Sequence, residues 1–130
     1  MLSPDVENIL NIQKNRSLRE EKLKEKILHS VKEKINNYAN FGQTNCIYTI
    51  PNFIFGEMPY KIDSMNRYLV KKLKKEGLYI INISPQYIYI SWNIKDIKKA
   101  LEEQTKEIKT KIEKQELNNY SAFVNQKKTF

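Results

Sequence analysis

A chain of 130 residues is about one domain's worth, and 40% hydrophobic with 29% charged residues gives both a core and a well-solvated surface. Lys and Arg total 23 against 15 Asp and Glu, a net charge of +8 with the single His neutral. One Cys excludes a disulfide framework and a Cys-rich zinc site, one His excludes a multi-His metal site, three Gly leave no room for a glycine-rich phosphate loop, and no apolar run approaches the roughly 18 residues of a membrane span.

Four segments follow from the pattern: a helical arm at 1–44, a globular β-α-β-β module at 45–92, a second long helix at 93–117, and a tail at 118–130. The fold class expected is α+β, with no internal repeat. The opening residues Met1-Leu2-Ser3-Pro4-Asp5 lack a basic stretch followed by an apolar core, so no signal peptide is expected.

The first arm begins at Ser3, an N-cap residue, with Pro4 in the first helical position, where a missing N–H costs nothing. Asp5 and Glu7 favour the positive end of the helix dipole. Val6, Ile9 and Leu10 share a face, and Leu23, Ile27, Val31, Ile35 and Tyr38 step by three and four. Between them Gln13 to Ser17 is weak, and Ser17-Leu18-Arg19-Glu20 matches a capping box. The reading is one long helix with a soft middle, stopped by Gly42.

Within the module, Asn45 to Ile50 alternates as a strand, with Cys46, Tyr48 and Ile50 on one side and Ile47 and Thr49 on the other. Pro51 ends it. The stretch Asn52 to Lys61 carries Phe53, Ile54, Phe55, Met58 and Tyr60, and a loop that apolar is expected to pack onto the core. Asp63 or Ser64 is the expected cap of a helix running to Glu76. Its residues Ile62, Met65, Leu69 and Leu73 fall within about 60° of one another, a narrow core stripe. Gly77 closes the helix. Leu78 to Ile83 and Tyr87 to Trp92 then form a hairpin around Ser84-Pro85-Gln86. In it Tyr79, Tyr87 and Tyr89 share one strand parity, opposite to Ile88 and Ile90. One sheet face is therefore tyrosine-rich, open to a partner or to the flanking helices, although most of the aromatics are expected in the core.

The second long helix is capped by Asn93. Ile94, Ile97, Leu101, Gln104, Ile108 and Lys111 or Ile112 step three and four, a thin seam suited to a helix laid along another, within the chain or between chains, in which Gln104 would specify register. Ile97, Leu101, Ile108 and Ile112 are the expected protein-interaction residues. The tail holds Tyr120, Phe123, Val124 and Phe130.

For chemistry the residues offer little. Cys46 and His29 are the sole Cys–His combination, one on an apolar strand face and the other in a Lys/Glu helix, so a structural thiol and a helix-face imidazole are expected. Glu57 and Asp63 lie near the apolar loop without the isolation that paired acid–base carboxylates need. No catalytic residue, metal ligand, cofactor or small-molecule substrate is expected. The one chemical signal is basic. Arg67, Lys71, Lys74 and Lys75 lie about 120° to 220° from the stripe of their helix, and that helix followed by a hairpin echoes the end of a winged helix. Against a dedicated DNA reader, charge is spread evenly, with +2, +3 and +3 over residues 1–45, 46–92 and 93–130. Arg is scarce as well, and the 20 Lys, 17 Ile and 14 Asn are all AT-rich codons, so part of the basicity reflects genome composition.

An ordered set of motifs runs through the module: Cys46-Ile47-Tyr48-Thr49-Ile50-Pro51-Asn52-Phe53, Gly56-Glu57-Met58-Pro59-Tyr60-Lys61-Ile62-Asp63, Tyr68 to Leu73, Gly77-Leu78-Tyr79-Ile80, and Pro85-Gln86-Tyr87-Ile88-Tyr89-Ile90-Ser91-Trp92. With the stretch around His29, they resemble a family of small proteins in nucleocytoplasmic large DNA viruses, mimivirus-like and phycodnavirus-like, with a more distant African swine fever virus relative. The resemblance covers about residues 20–92; Leu78 stands where Phe is commoner, and the arm after Trp92 lies outside it. It implies a viral protein of the host cytoplasm, at the viral factory, or of the virion, not a secreted one, and it carries no catalytic residues. The expected function is non-enzymatic: a structural, assembly or scaffolding protein contacting itself or another viral protein. The alternative is non-specific binding of DNA or RNA through the basic helix face.

Overall fold

The computed structural model of the protein describes the backbone of residues 1–127 and the side chains of residues 1–121. In chain order it has α1 (Pro4–Asn40), β1 (Asn45–Thr49), α2 (Ile62–Lys75), β2 (Tyr79–Asn82), β3 (Tyr87–Ser91) and α3 (Ile94–Lys127). The α+β class and the two long flanking helices are as the sequence led one to expect.

α1 is continuous through its soft middle and, at about 1.5 Å per residue, is about 55 Å long. The Ser3 hydroxyl accepts the Val6 N–H at 3.3 Å, so the predicted cap is in place. At the other end Gly42 takes φ +81°, a left-handed conformation that favours glycine. The Gly42 and Gln43 N–H groups there close back onto the Ala39 and Tyr38 carbonyls.

The sheet is antiparallel with order β1-β3-β2. Tyr87 to Ser91 is the middle strand, paired to both neighbours through Ile90, which faces Cys46 on one side and Ile80 on the other. β1, α2 and β2 thus form a βαβ unit split by β3. One sheet face carries Cys46, Ile80, Ile88 and Ile90. Against it pack Leu23, Ile27 and Val31 of α1 and Met65, Leu69 and Leu73 of α2, closing the core. The predicted α2 stripe is therefore right, with Ile62 partly buried at its start.

Three expectations fail locally. α2 begins at Ile62, and its N-cap, Lys61, makes no side-chain capping bond. Asp63 therefore lies in the first turn, where its charge suits the dipole, and Ser64 is inside the helix. α3 runs to Lys127, well past the expected end near Leu117, because nothing between has a Gly or Pro to stop it. The apolar loop is only half packed: Ile54, Met58 and Tyr60 lie against the core, but Phe53 and Phe55 are 73% and 96% exposed. Tyr60 donates its hydroxyl hydrogen bond to the Pro51 carbonyl, tying the two ends of the loop together.

A buried polar clasp that the sequence did not announce fixes the hairpin to α2. Asn66, on the core side of α2, exchanges reciprocal amide hydrogen bonds of 2.9 Å with Asn82. Its NH2 also donates to the Pro85 carbonyl at 3.0 Å and the Ser84 carbonyl at 3.3 Å. Among the described residues every buried side-chain polar atom has a partner.

Candidate functional site

The chemistry of this chain lies on its surfaces. On α2, Arg67, Lys71, Lys74 and Lys75 are all exposed, opposite the buried Met65, Leu69 and Leu73. Among the described residues none of the four takes an ion pair, while the chain's other basic groups include Lys26 with Glu57 at 2.6 Å and Lys32 with Glu76. The basic face predicted from spacing is brought together.

α1 has a buried half and a bare half. Leu23, Ile27 and Val31 are core residues, yet residues 1–22 are exposed throughout. At about 100° per residue Val6, Ile9 and Ile12 point to the same side as Leu23, Ile27 and Val31. The apolar stripe therefore continues past the module into solvent. The soft middle has a physical reading as well: Arg16 and Glu20, paired with each other at 3.7 Å, occupy the stripe where it leaves the core.

α3 behaves in the same way. Asn93 caps it, accepting the Lys95 N–H at 3.0 Å. The Asp96 carboxylate accepts a hydrogen bond from the fully buried Ser91 hydroxyl at 2.7 Å, anchoring the helix to the end of β3. Ile97 is half-buried and Ala100 buried, and Gln104 donates at 2.8 Å to the Lys74 carbonyl in the last turn of α2, which also accepts the Gly77 N–H at 3.0 Å. Two expectations are corrected here. Ile97 belongs to the docking face on the module, and Gln104 ties α3 to the last turn of α2 instead of standing at a polar position in a seam. Ala100 was invisible to the hydrophobic pattern, because a small side chain buries well wherever two elements approach closely. The true free stripe is Ile94, Leu101, Ile108 and Ile112, all at least half exposed and about 70° round from the docked face. From Thr105 to Ser121 every residue is exposed. The expected tail residues Phe123, Val124 and Phe130 lie outside the described side chains.

The outer sheet face carries Ile47, Ile81 and Tyr87, all exposed, with Tyr79 and Tyr89 half-buried. The tyrosine-rich face is thus real but interleaved with isoleucine, since Tyr89 sits between Ile47 and Ile81 in register. Trp92 packs on the core and donates its indole N–H to the Gln43 carbonyl at 2.9 Å.

The groups weighed for catalysis are apart in character. Cys46 is buried, and desolvation pushes its thiol above the ordinary value, with Lys34 pulling weakly the other way. His29 is exposed on α1, its Nε2 2.9 Å from Glu33. Burial also raises the Tyr48 hydroxyl, reinforced by Tyr60. Lys34 stands 5.7 Å from the Tyr38 and Tyr48 rings and donates to the Ile47 carbonyl at 2.9 Å, pinning α1 to β1. Among the described residues no cluster of His, Cys, Asp and Glu could hold a metal ion, and no helix is long and apolar enough to cross a membrane.

A family model described as a family of unknown function (DUF5759) matches residues 4–74. The chain belongs to that family. The match takes in α1, β1, the apolar loop and nearly all of α2, so the DUF5759 region includes the bare half of α1 as well as its buried half. β2, β3 and α3 lie beyond it. No curated protein and no solved structure matches the chain.

Proposed function

We propose that this DUF5759 protein is a non-enzymatic assembly or scaffolding protein that works by protein–protein contact, most directly with copies of itself. The observation that carries the reading is the uncovered continuation of both helices. Val6, Ile9 and Ile12 extend a core stripe into solvent, and Leu101, Ile108 and Ile112 form a second stripe on a helix otherwise covered in charge. Isolated helices are marginal in water, and most helical stability comes from packing an amphipathic face. Neither stripe is covered by the other or by the module, so a partner chain is what would bury them. The resemblance of the sequence to proteins of large DNA viruses supports a role in particle assembly, in the host cytoplasm or the virion.

Sedimentation velocity on the full chain tests this reading. The wild type is expected to associate as concentration rises, and Ile9→Asp with Ile12→Asp, or Ile108→Asp with Ile112→Asp, to return it toward monomer while the module stays folded. A wild type that is monomeric at every concentration ends the self-association reading.

A second reading is supported by the four exposed basic side chains on the outer face of α2: non-specific attachment to DNA or RNA through Arg67, Lys71, Lys74 and Lys75. Phosphate contacts of this kind release counterions, so such binding would fall steeply with salt.

A further inference from the structure

Three concavities run together along the flank of α1 that faces loop 51–61. Arg16, Arg19, Leu23, Met58 and Pro59 each line two of them, so the three adjoin as one grooved flank. Leu23, Met58 and Met65 give it an apolar floor, and its walls carry six basic side chains against two acidic ones. Both acidic groups are already occupied, Glu57 by Lys26 and Glu20 by Arg16. Arg19 and Lys22 take no ion pair among the described residues. No residue of α3 lines the groove.

One face of the far end of α3 has the opposite character. Glu113, Glu116, Leu117 and Tyr120 line one shallow concavity. They occupy about 100° of helix face; Lys111 and Lys114 lie on the other side, and Lys109 lies one turn before Glu113. Leu117 and Tyr120 are 64% and 67% exposed. Gln104 is the last half-buried residue of α3 among the described ones, and nine further residues of helix carry Glu113 about 14 Å beyond it. The Glu113–Tyr120 face therefore stands free of its own module.

From this complementarity we infer that the groove between α1 and loop 51–61 of one copy receives the Glu113–Tyr120 end of α3 from a second copy. Leu117 and Tyr120 enter over Leu23 and Met58, and Glu113 and Glu116 meet Arg19 and Lys22. This is helix-in-groove recognition, with apolar anchors giving affinity and a charged rim giving orientation. The contact is head-to-tail: each copy keeps one free groove and one free end, so assembly continues into a ring or an open filament. It deepens the self-association reading and rests on it, but it uses a face of α3 turned well away from the Leu101–Ile108–Ile112 stripe.

Charge reversal on the full chain tests it by sedimentation velocity at low salt. Arg19→Glu with Lys22→Glu removes the groove, and Glu113→Lys with Glu116→Lys removes the end. Each variant alone is expected to lose the largest species, with association weakened roughly tenfold or more. A one-to-one mixture of the two variants regains growth by alternation, because the unchanged end of one meets the unchanged groove of the other and the reversed end meets the reversed groove. A chain carrying all four reversals regains growth, because the reversed pair in the groove again meets a pair of opposite charge on the end. Growth untouched by either reversal overturns the contact and leaves the stripe reading to its own variants. Loss on reversing the groove but not the end also overturns it, assigning the groove to another acidic partner. A four-reversal chain that stays small overturns it too.

Discussion

Replacing Asn66 by Ala probes the least replaceable polar residue of the fold. Asn66 is only 3% exposed, and its amide makes the reciprocal pair with Asn82 and caps two turn carbonyls. A net intramolecular hydrogen bond contributes about 0.5–1.5 kcal/mol, so two reciprocal bonds and a shared turn bond come to about 2–4 kcal/mol. Asn82 and Pro85 are exposed and recover water once Asn66 is gone, which places the expected loss near the lower end, about 2 kcal/mol. Asn66→Asp should cost more, since a carboxylate cannot donate to the Pro85 and Ser84 carbonyls and its charge would be buried. Asn82→Ala leaves the buried Asn66 oxygen without its donor, so the two alanine changes should be coupled in a double-mutant cycle. Urea unfolding followed by circular dichroism measures all of these. If Asn66→Ala shifts stability by less than about 0.5 kcal/mol with an unchanged slope, the clasp is not holding the hairpin to α2 and the argument fails.

Leu69→Ala, at a fully buried position between α1 and the sheet, should cost about 2–5 kcal/mol in the same assay, and a smaller loss would mean the core is not closed there. Stability should fall on the alkaline side. Cys46, Tyr48 and Tyr60 have folded pKa values above their ordinary ones, so the folded chain holds protons that the unfolded chain gives up. Their contribution is complete below the unfolded thiol and phenol values and is lost as pH rises through the folded ones, which denaturation midpoints taken from neutral to strongly alkaline pH will show. If the basic face binds nucleic acid, charge reversal at Arg67, Lys71, Lys74 and Lys75 should abolish gel-shift binding at about 50 mM salt, and raised salt should weaken the wild type steeply. Binding that survives those reversals dismisses that reading.

How much was legible in the sequence depends on the range of the interaction involved. Met65, Leu69 and Leu73 were readable because helical spacing confines them to one narrow stripe. The split sheet order was not, since Cys46 finds Ile90 across more than forty residues and strand alternation gives faces, not neighbours. Phe53 and Phe55 were misjudged because composition reports apolarity, not which side chains of a loop reach the core. Asn66 looked like any helix polar residue until Asn82, brought close by the hairpin, gave it a partner. The basic face and the α3 stripe were both visible in spacing. What spacing cannot reveal is which face the module itself consumes, and so Ile97 and Gln104 were assigned to the wrong side.

The central claim is that the bare halves of α1 and α3 are covered by another protein chain. Amide hydrogen exchange on the full chain, read peptide by peptide at increasing protein concentration, tests it most directly. The account predicts that residues 4–22 and 105–121 exchange fast when dilute and gain protection as concentration rises, while β3 and the buried turns of α1 and α2 stay equally protected throughout. Exchange in both arms that is unchanged by concentration would contradict it.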